Sequence, residues 1–240
     1  MKSKLTNKIH RILGFIADTG QAVEVRALAE CLAIDRSTVG RIVADLCECG
    51  YLRKVDCHRV ELGLGLIYLG QSTLNDRFFP QSAIQLLNKE TEKLGVDSAL
   101  ATLYRNQLVY LNRSVRGWEE MCWWHYPLHG SNLALVILAE REGTEKAFML
   151  LNTSLQASSL PDIKKESLRQ SIQQRLDFFS LHGYAIENAP KYFNVSFPLT
   201  HENSILGLAF FAEHNSAGPR AESLVAKGSI LRERLQTLLY

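Results

Sequence analysis

The clearest chemical signal in the sequence is a group of side chains that can donate hydrogen bonds. Four polar or cationic side chains are grouped in one short stretch: Arg36, Ser37, Thr38 and Arg41. The apolar residues that accompany them recur at helical spacing, which places the four at the N-terminal end of an amphipathic helix. A helix-turn-helix protein presents this end of its second helix to the DNA major groove. We therefore predict that these four residues contact DNA.

The elements around this stretch must form a helix-turn-helix if the prediction is correct. The spacing of Leu28 and Leu32 predicts a first helix. Asp35 is suited to cap the second helix, because its carboxylate can accept hydrogen bonds from free N–H groups. An earlier amphipathic helix is predicted to end near Gly20, and Gly50 suits the left-handed residue that closes the second helix. Amphipathic helices joined by a polar turn also occur without DNA binding, so these flanking elements decide the interpretation.

Two short strands are predicted next, Tyr51–Val55 and Arg59–Leu62, around a polar turn. Three helices followed by a hairpin form a winged helix-turn-helix. Cationic side chains on this wing are placed to reach DNA phosphates, and they complete the predicted DNA-binding set: Arg53, Lys54 and Arg59.

Cysteines raise the alternative of a metal site. Four of the five lie in the N-terminal part: Cys31, Cys47, Cys49 and Cys57. Cys47 and Cys49 with Cys57-His58 could bind zinc, but the spacing is not CxxC and the two helix positions face different directions. The odd number favours reduced thiols over a disulfide framework. We expect small cysteines, and neither a metal nor a cofactor.

Net charge gives little support for DNA binding by itself. Residues 1–75 contain ten Lys and Arg against eight Asp and Glu, a net charge of +2. The distribution is more informative, because Arg36 and Arg41 precede Asp45 and Glu48 along the predicted reading helix. This polarity suits entry of the N-terminal end into the groove, with affinity that depends on a dimer, on the wing and on salt concentration.

The N-terminal sequence resembles the DNA-binding half of the IclR-type bacterial transcription regulators. The resemblance is carried by LAECLAIDRSTVGRIVADLCECGYL and VELGLGLIYLG, within about Asn7 to Gly70. The matching residues are the Ser37-Thr38-Val39-x-Arg41-Ile42 run and the Leu62-Gly63 pair. The resemblance continues more weakly to the C-terminus. It implies a winged helix-turn-helix DNA-binding domain at residues 1–62, a linker helix at 63–79 that contributes to a dimer, and an effector-binding and oligomerisation domain at 80–240.

The C-terminal part predicts an α+β domain with an antiparallel sheet. The predicted helices are residues 80–94, 132–139, 144–151, 161–182 and 219–239. The predicted strands are residues 97–104, 108–115, 195–199 and 205–212. This order is similar to the family's effector domain, an antiparallel sheet of the GAF or profilin type that cradles a small-molecule site.

The resemblance also implies which residues form that site. The loop before the family's pocket-floor helix matches residues 127–132, which gives the candidates His129, Gly130, Ser131 and Asn132. Gly183-Tyr184-Ala185 and Phe197-Pro198-Leu199 match later pocket segments, and the candidates there are Glu187, Asn194, Phe197, Phe210 and Ala212. Trp123 is a further candidate from the aromatic-rich segment 117–129, whose large side chains could also be core anchors or a dimer surface.

The candidate site departs from the family's pattern. The segment Ile186–Phe193 is shorter than the acidic, glycine-bearing loop of the family. Asn194 stands where the family often has a cysteine, and Phe210 and Ala212 stand where it has serines. Since polar groups are lost and phenylalanines gained, we expect a pocket for a larger or more apolar ligand than a small oxo-acid, or a pocket that binds nothing.

Three functions are compatible with these residues. The first is a homodimeric or homotetrameric transcription regulator, with repression as the expected mode, that binds operator DNA and senses an organic acid or aromatic compound through a population shift. The second is a DNA-binding protein whose C-terminal domain only dimerises. The third is an enzyme, for which the sequence offers only His125 and His129 near Ser131 and none of the common nucleophile, phosphate or metal motifs.

The sequence also bears on where the protein works. No apolar run approaches the roughly 20 residues that span a bilayer, and the N-terminal residues lack the apolar region of a secretion signal. We expect a cytoplasmic protein without a membrane partner.

Overall fold

The computed structural model describes residues 4–74, 80–104, 106–114, 127–188, 192–202, 204–213 and 221–239. The chain divides into two compact units, residues 1–77 and 78–240. Within the described ranges, no helix is both long and apolar enough to cross a membrane.

The first unit is a winged helix-turn-helix, as predicted. Its helices are α1 Lys4–Thr19, α2 Val25–Leu32, α3 Arg36–Glu48 and α4 Leu64–Leu74. Its strands are β1 Val23–Glu24, β2 Leu52–Lys54 and β3 Arg59–Leu62, in the antiparallel order β1-β3-β2. The apolar stripes of α1, α2 and α3 meet in one core, in which Ile12, Leu28 and Val39 are completely buried. Strand β1 was not predicted, because two residues are too few to show an alternating pattern.

Two glycines allow the start of α4 to lie directly against the end of α3. The N–H of Gly63 donates to the Tyr51 carbonyl at 2.8 Å, and that of Gly65 donates to the Gly50 carbonyl at 2.9 Å. A Cβ atom at Gly63 would lie 2.3 Å from the Gly50 carbonyl oxygen, and one at Gly65 would lie 2.7 Å from it. Both distances are far inside van der Waals contact with backbone, so only glycine fits. The Leu62-Gly63 pair that carries part of the sequence resemblance therefore has a packing reason.

The second unit is built on a five-stranded antiparallel sheet between two layers of helices. Its helices are α5 Gln81–Leu94, α6 Asn132–Glu142, α7 Thr144–Gln156, α8 Asp162–His182 and α9 Ala221–Leu238. Its strands are β4 Asp97–Tyr104, β5 Gln107–Ser114, β6 Ala185–Asn188, β7 Tyr192–His201 and β8 Ser204–Glu213. The order across the sheet is β5-β4-β8-β7-β6. The predicted α+β class, with a winged helix-turn-helix and a C-terminal antiparallel sheet, is confirmed.

Strand β6 is the one described strand of this unit that sequence reasoning assigned to a loop. It pairs antiparallel with β7 from Ala185↔Ser196 to Asn188↔Phe193. The four residues of β6 form an edge strand, and the sequence Ala-Ile-Glu-Asn has little apolar alternation to indicate one.

Each face of the sheet is approached closely by one helix. Helix α6 covers one face, where a Cβ at Gly207 of β8 would lie 2.9 Å from the Leu133 side chain. Helix α9 covers the other face, where a Cβ at its own Gly228 would lie 2.8 Å from the Phe197 ring. Helices α7 and α8 pack on the α6 side, and α5 packs beside α9.

The close approach at Gly63 gives a stability prediction. Gly63→Ala places a methyl group against backbone that cannot yield, so we expect the first unit to lose about 1–3 kcal/mol of stability, as for other overpacked sites. Chemical unfolding of the full chain measures the loss, and hydrogen exchange of the segment around Gly50 locates it. The control is Gly70→Ala in the following helix α4, where a Cβ meets nothing within 4 Å and the higher helix propensity of alanine is stabilising. Equal behaviour of the two variants would contradict the close-packing argument.

Candidate DNA interface and effector cavity

The N-terminus of α3 is held by the predicted cap. The Asp35 carboxylate accepts a hydrogen bond from the Thr38 backbone N–H at 3.0 Å and from the Ser37 hydroxyl at 2.6 Å. The Ser37 hydroxyl and the Thr38 N–H lower the pKa of Asp35 below its usual value, because they stabilise the charged form. The Ser37 hydroxyl thus has a partner within the cap before any DNA is present.

The solvent-facing side of α3 carries the predicted cations. Arg36 and Arg41 are exposed, and neither forms an ion pair with another described residue. Between them lies Gly40, and one turn further on lies the exposed Ala44. These two small residues, which sequence reasoning did not single out, leave the helix surface free to approach a groove closely.

The cations of the wing are in a different situation. Arg53 pairs with Glu61 on the neighbouring strand, and the Arg59 Nε lies 2.7 Å from the Asp56 Oδ2. Lys54 is exposed and makes no ion pair within the part of the chain that the structure describes. Two of the three predicted wing cations therefore already have an acidic partner in the chain, so the reading helix and Lys54 hold the uncompensated charge.

The tip of the wing is organised by one carboxylate. The Asp56 Oδ1 accepts hydrogen bonds from the backbone N–H groups of His58 and Arg59, both at 2.8 Å. Together with the Arg59 side chain, these donors lower the pKa of Asp56 to about 2, the His58 N–H contributing most. The carboxylate closes the turn and holds Arg59 in one place.

A cavity of about 380 Å³, including the space at its mouth, lies on the α6 side of the sheet in the second unit. Its lining comes from β5, β6, β7, β8 and the segment that enters α6. The lining residues are Tyr110, Arg113, Gly130, Ser131, Asn132, Leu133, Glu187, Tyr192, Asn194, Ser196, Ala209 and Phe211. Five of the predicted effector residues are among them: Gly130, Ser131, Asn132, Glu187 and Asn194.

One wall of the cavity is a chain of hydrogen bonds. The Arg175 guanidinium on α8 donates to the Asn132 Oδ1 at 2.8 Å, and the Asn132 Nδ2 donates to the Asn194 Oδ1 at 2.7 Å. The Asn194 Nδ2 in turn donates to the Glu187 Oε2 at 2.9 Å. Asn132 and Asn194 are almost completely buried. The chain links α8, α6, β7 and β6, and so fixes the geometry of this wall.

The start of α6 adds polar groups beside this wall. The Ser131 hydroxyl accepts from the Ala134 N–H at 3.2 Å and caps the helix. The N–H groups of Asn132 and Leu133, in the first turn, have no carbonyl partner within an α-helix. Such groups and the positive end of the helix dipole favour an anionic ligand group.

Aromatic and cationic side chains form the opposite side. The guanidinium of Arg113 lies 4.9 Å from the centre of the Tyr110 ring, which is a cation–π distance. Burial raises the pKa of Tyr110, an effect that the nearby Arg113 charge reduces. The Tyr192 and Phe211 rings meet edge to face, with centroids 6.4 Å apart.

Three predicted effector residues lie on the other face of the sheet. Phe197, Phe210 and Ala212 belong to the core between the sheet and helices α5 and α9. Side chains alternate between faces along a strand, so Asn194 and Ser196 face the cavity whereas Phe197 faces away. The prediction of Phe197, Phe210 and Ala212 as cavity residues is therefore corrected: on the cavity face β8 supplies Ala209 and Phe211, and β7 supplies Asn194 and Ser196.

The remaining predicted positions are His129 and Trp123. His129 is buried, and its Nδ1 lies 3.1 Å from the Ser154 Oγ, away from the cavity lining. Burial lowers the pKa of His129. Since Ser131 caps α6 and His129 contacts Ser154, these two do not form a nucleophile–base pair. Trp123, like the rest of 115–126, lies outside the described residues.

The four cysteines that the structure describes do not gather into a metal site. Cys31, Cys49 and Cys57 are exposed thiols, and Cys47 is partly buried. Within the described ranges, no group of three or more His, Cys, Asp or Glu side chains is arranged to hold a metal ion.

Several cavity residues escaped sequence reasoning: Tyr110, Arg113, Tyr192, Ser196 and Phe211. Tyr192 and Ser196 could have been found, because they alternate with Asn194 along β7. Tyr110 and Arg113 could not, because residues three apart on a regular strand face opposite ways. A register shift opposite Leu100/Ala101, with Ala101 paired to Tyr110 and Leu100 to Asn112, brings both to the same cavity.

Comparisons with known proteins agree with this architecture. A sequence model described as the MarR family matches residues 4–59, and no curated protein matches the chain in sequence. An IclR family transcriptional regulator from Brucella abortus is 20% identical, with 100% of this chain and 94% of that one covered and a TM-score of 0.79.

Two further solved structures are similar over almost their whole length. An IclR homolog from Microbacterium hydrocarbonoxydans, complexed with 4-hydroxybenzoate, is 19% identical over 98% of this chain and 100% of that one, with a TM-score of 0.66. The IclR of Thermotoga maritima is 20% identical over 98% of both chains, with a TM-score of 0.53. At these identities the similarity establishes a shared fold, and the predicted resemblance to IclR-type regulators is confirmed at that level.

The geometry of the wing predicts a pH dependence. The folded pKa of Asp56 lies below its usual value of 3.8, so its contribution is complete above that value and is lost as the pH falls towards about 2. We expect the amide resonances of His58 and Arg59 to shift in this interval in an NMR titration. Asp56→Asn keeps an acceptor oxygen but removes the charge, so the shift should vanish. An unchanged titration in Asp56→Asn would assign it to another group.

Proposed function

We propose that this protein is a sequence-specific DNA-binding transcription regulator of the IclR type. The observation that carries the proposal is the exposed face of α3, where Arg36 and Arg41 flank Gly40 and have no acidic partner among the described residues. Arginine side chains on such a helix are suited to bidentate contacts with guanine in the major groove. Ser37, Thr38, Lys54 and the paired arginines of the wing would position the helix on the backbone.

We further propose that the second unit senses a small organic acid or aromatic compound in its cavity. A dimerisation-only unit would need no polar cavity, whereas this one lines its cavity with buried amides, a carboxylate and a guanidinium. The 4-hydroxybenzoate bound by the Microbacterium homolog supports an aromatic acid as one class of effector. A ligand that binds more tightly to one conformation of the protein changes its affinity for the operator, and operator binding changes the affinity for the ligand by the same factor.

The functional form is proposed to be a homodimer or a dimer of dimers. Helix α4 exposes a run of large apolar side chains: Leu64, Ile67, Tyr68 and Leu69, with Leu64 and Tyr68 more than three-quarters exposed. A contiguous apolar surface on a helix is typical of a subunit contact. Two copies also provide two reading helices, which raises affinity for a near-palindromic operator.

Genome-fragment selection with the purified full chain tests the proposal. Bound DNA is sequenced at moderate salt, with and without pools of organic acids and aromatic compounds. Enrichment of a near-palindromic site supports the regulator, and a change with one pool supports sensing. A reporter fused to the enriched site then gives the sign of regulation. Recovery of random fragments alone would reject the DNA-reading assignment of α3.

Arg41→Ala is the sharpest variant for the DNA contact. Loss of one good base contact costs about 1–3 kcal/mol, so operator affinity per site should fall by roughly 5- to 150-fold in an electrophoretic mobility shift. The melting temperature should stay unchanged, because Arg41 is exposed. Arg169→Ala, which removes an exposed arginine paired with Glu166 on α8, is the matched control and should leave operator binding intact. A large stability loss in Arg41→Ala would show a structural role instead.

Tyr68→Glu tests the proposed dimer. A buried charge in an apolar subunit contact is costly, so light scattering coupled to gel filtration should report a monomer for this variant. Ile163→Glu on α8, where the side chain is 87% exposed, is the matched control and should keep the mass of the parent. If Tyr68→Glu remains a dimer, the apolar face of α4 is not the contact.

A further inference from the structure

The hydrogen-bond chain along the cavity wall can run in only one direction. Its first member, Arg175, has only donors, and its last member, Glu187, has only acceptors as a carboxylate. The two amides between them are therefore orientated by the ends: each accepts through its oxygen from the Arg175 side and donates through its nitrogen towards Glu187. The wall thus delivers one hydrogen-bond donor, the Asn194 Nδ2, to the Glu187 Oε2 and leaves the second carboxylate oxygen for another donor.

Glu187 lacks a cationic partner within the described part of the chain. It is half-buried, lines the cavity, and receives a hydrogen bond from the neutral amide of Asn194. No salt bridge to it is formed by the described lysines, arginines or histidines. A carboxylate drawn out of water is best stabilised by a positive charge at hydrogen-bond distance. A purely anionic ligand would meet this carboxylate with repulsion.

The opposite end of the cavity has the opposite charge. Arg113 is on β5 and Glu187 is on β6, and these are the two edge strands of the sheet. Four strand spacings of about 4.8 Å each separate the two backbones along the sheet. Between the ends lie the rings of Tyr192 on β7 and Phe211 on β8, which suit an apolar or aromatic middle.

We propose that the effector is a zwitterion, with an ammonium group on Glu187 and a carboxylate directed to Arg113 on the opposite edge of the cavity. The class is an amino acid whose ammonium and carboxylate stand at opposite ends of an apolar or aromatic body, rather than an α-amino acid or a simple acid. This inference rests on the proposed function in one respect, that the cavity is the effector site. It differs from that proposal in requiring two opposite charges on one ligand.

Isothermal titration calorimetry of the full chain against two matched triads tests the class. The first triad is 3-(aminomethyl)benzoate, 3-methylbenzoate and 3-methylbenzylamine. The second, with a longer separation of charges, is 4-(aminomethyl)benzoate, 4-methylbenzoate and 4-methylbenzylamine. We expect at least one zwitterion to bind ten times or more tighter than both of its singly charged analogues. Equal or tighter binding of the acids or amines, or no binding by any member, would overturn the proposal.

Two variants distinguish the two ends. Glu187→Gln keeps an acceptor for Asn194 but loses the charge, so the preference for the zwitterion over the deaminated acid should disappear. Arg113→Gln should remove the preference over the decarboxylated amine instead. Glu140→Gln, an exposed carboxylate on α6, should change neither preference. Loss of both preferences in each variant, with a lowered melting temperature, would indicate general damage to the cavity and count against the assigned ends.

Operator binding in the same samples separates this inference from the proposed function. An acid without an amine that binds and alters operator affinity would keep the regulator and reject the zwitterion. Zwitterion binding without selective DNA binding would keep the zwitterion inference and reject the proposed regulator.

Discussion

The alternation of side chains along β7 and β8 is the constraint on which the second unit depends. Successive residues of β7 face opposite ways, so Asn194 and Ser196 lie on the α6 side while Val195 and Phe197 enter the core beneath α9. One strand thereby supplies both a polar cavity wall and an apolar core. Gly207 and Gly228 allow a helix to pack closely on each face of the sheet. A shift of the β7 register by one residue would place its polar side chains in the core and its apolar side chains in the cavity.

Charge in the first unit is compensated unevenly. Two arginines of the wing form ion pairs with acidic residues of the same wing, whereas the two arginines of the reading helix have no such partner among the described residues. A net charge near zero is therefore compatible with a local cationic surface. The electrostatic field that DNA would meet depends on which charged side chains lack a nearby opposite charge. The net charge of the unit does not show this.

Much of this architecture could be predicted from the sequence because its signals are local. The Asp35 cap, the left-handed glycine at position 50 and the helical spacing in α1 and α3 each depend on residues within one or two turns. The whole helix-turn-helix follows from such signals. In the second unit the start of α6 was also predicted, through Ser131 and Asn132.

What escaped prediction depends on pairing between distant segments. The face to which Phe197 and Phe210 point is set by the register of β7 and β8, and a resemblance to a family pattern did not convey it. Which side chains of β5 face the cavity depends on a register shift between β4 and β5, and no short sequence motif indicates that shift. Arg175 enters only because α8 passes behind Asn132, 43 residues away along the chain.

The contact of Gly63 and Gly65 with Gly50 has a mechanical consequence. The N–H of Gly65 in the first turn of α4 donates to the Gly50 carbonyl just after the reading helix, and the Gly63 N–H donates to the Tyr51 carbonyl. Backbone meets backbone at this junction, with the Tyr51 ring beside it. We therefore expect a rotation of α4 to displace the segment that closes α3, which ties the orientation of the reading helix to that of α4.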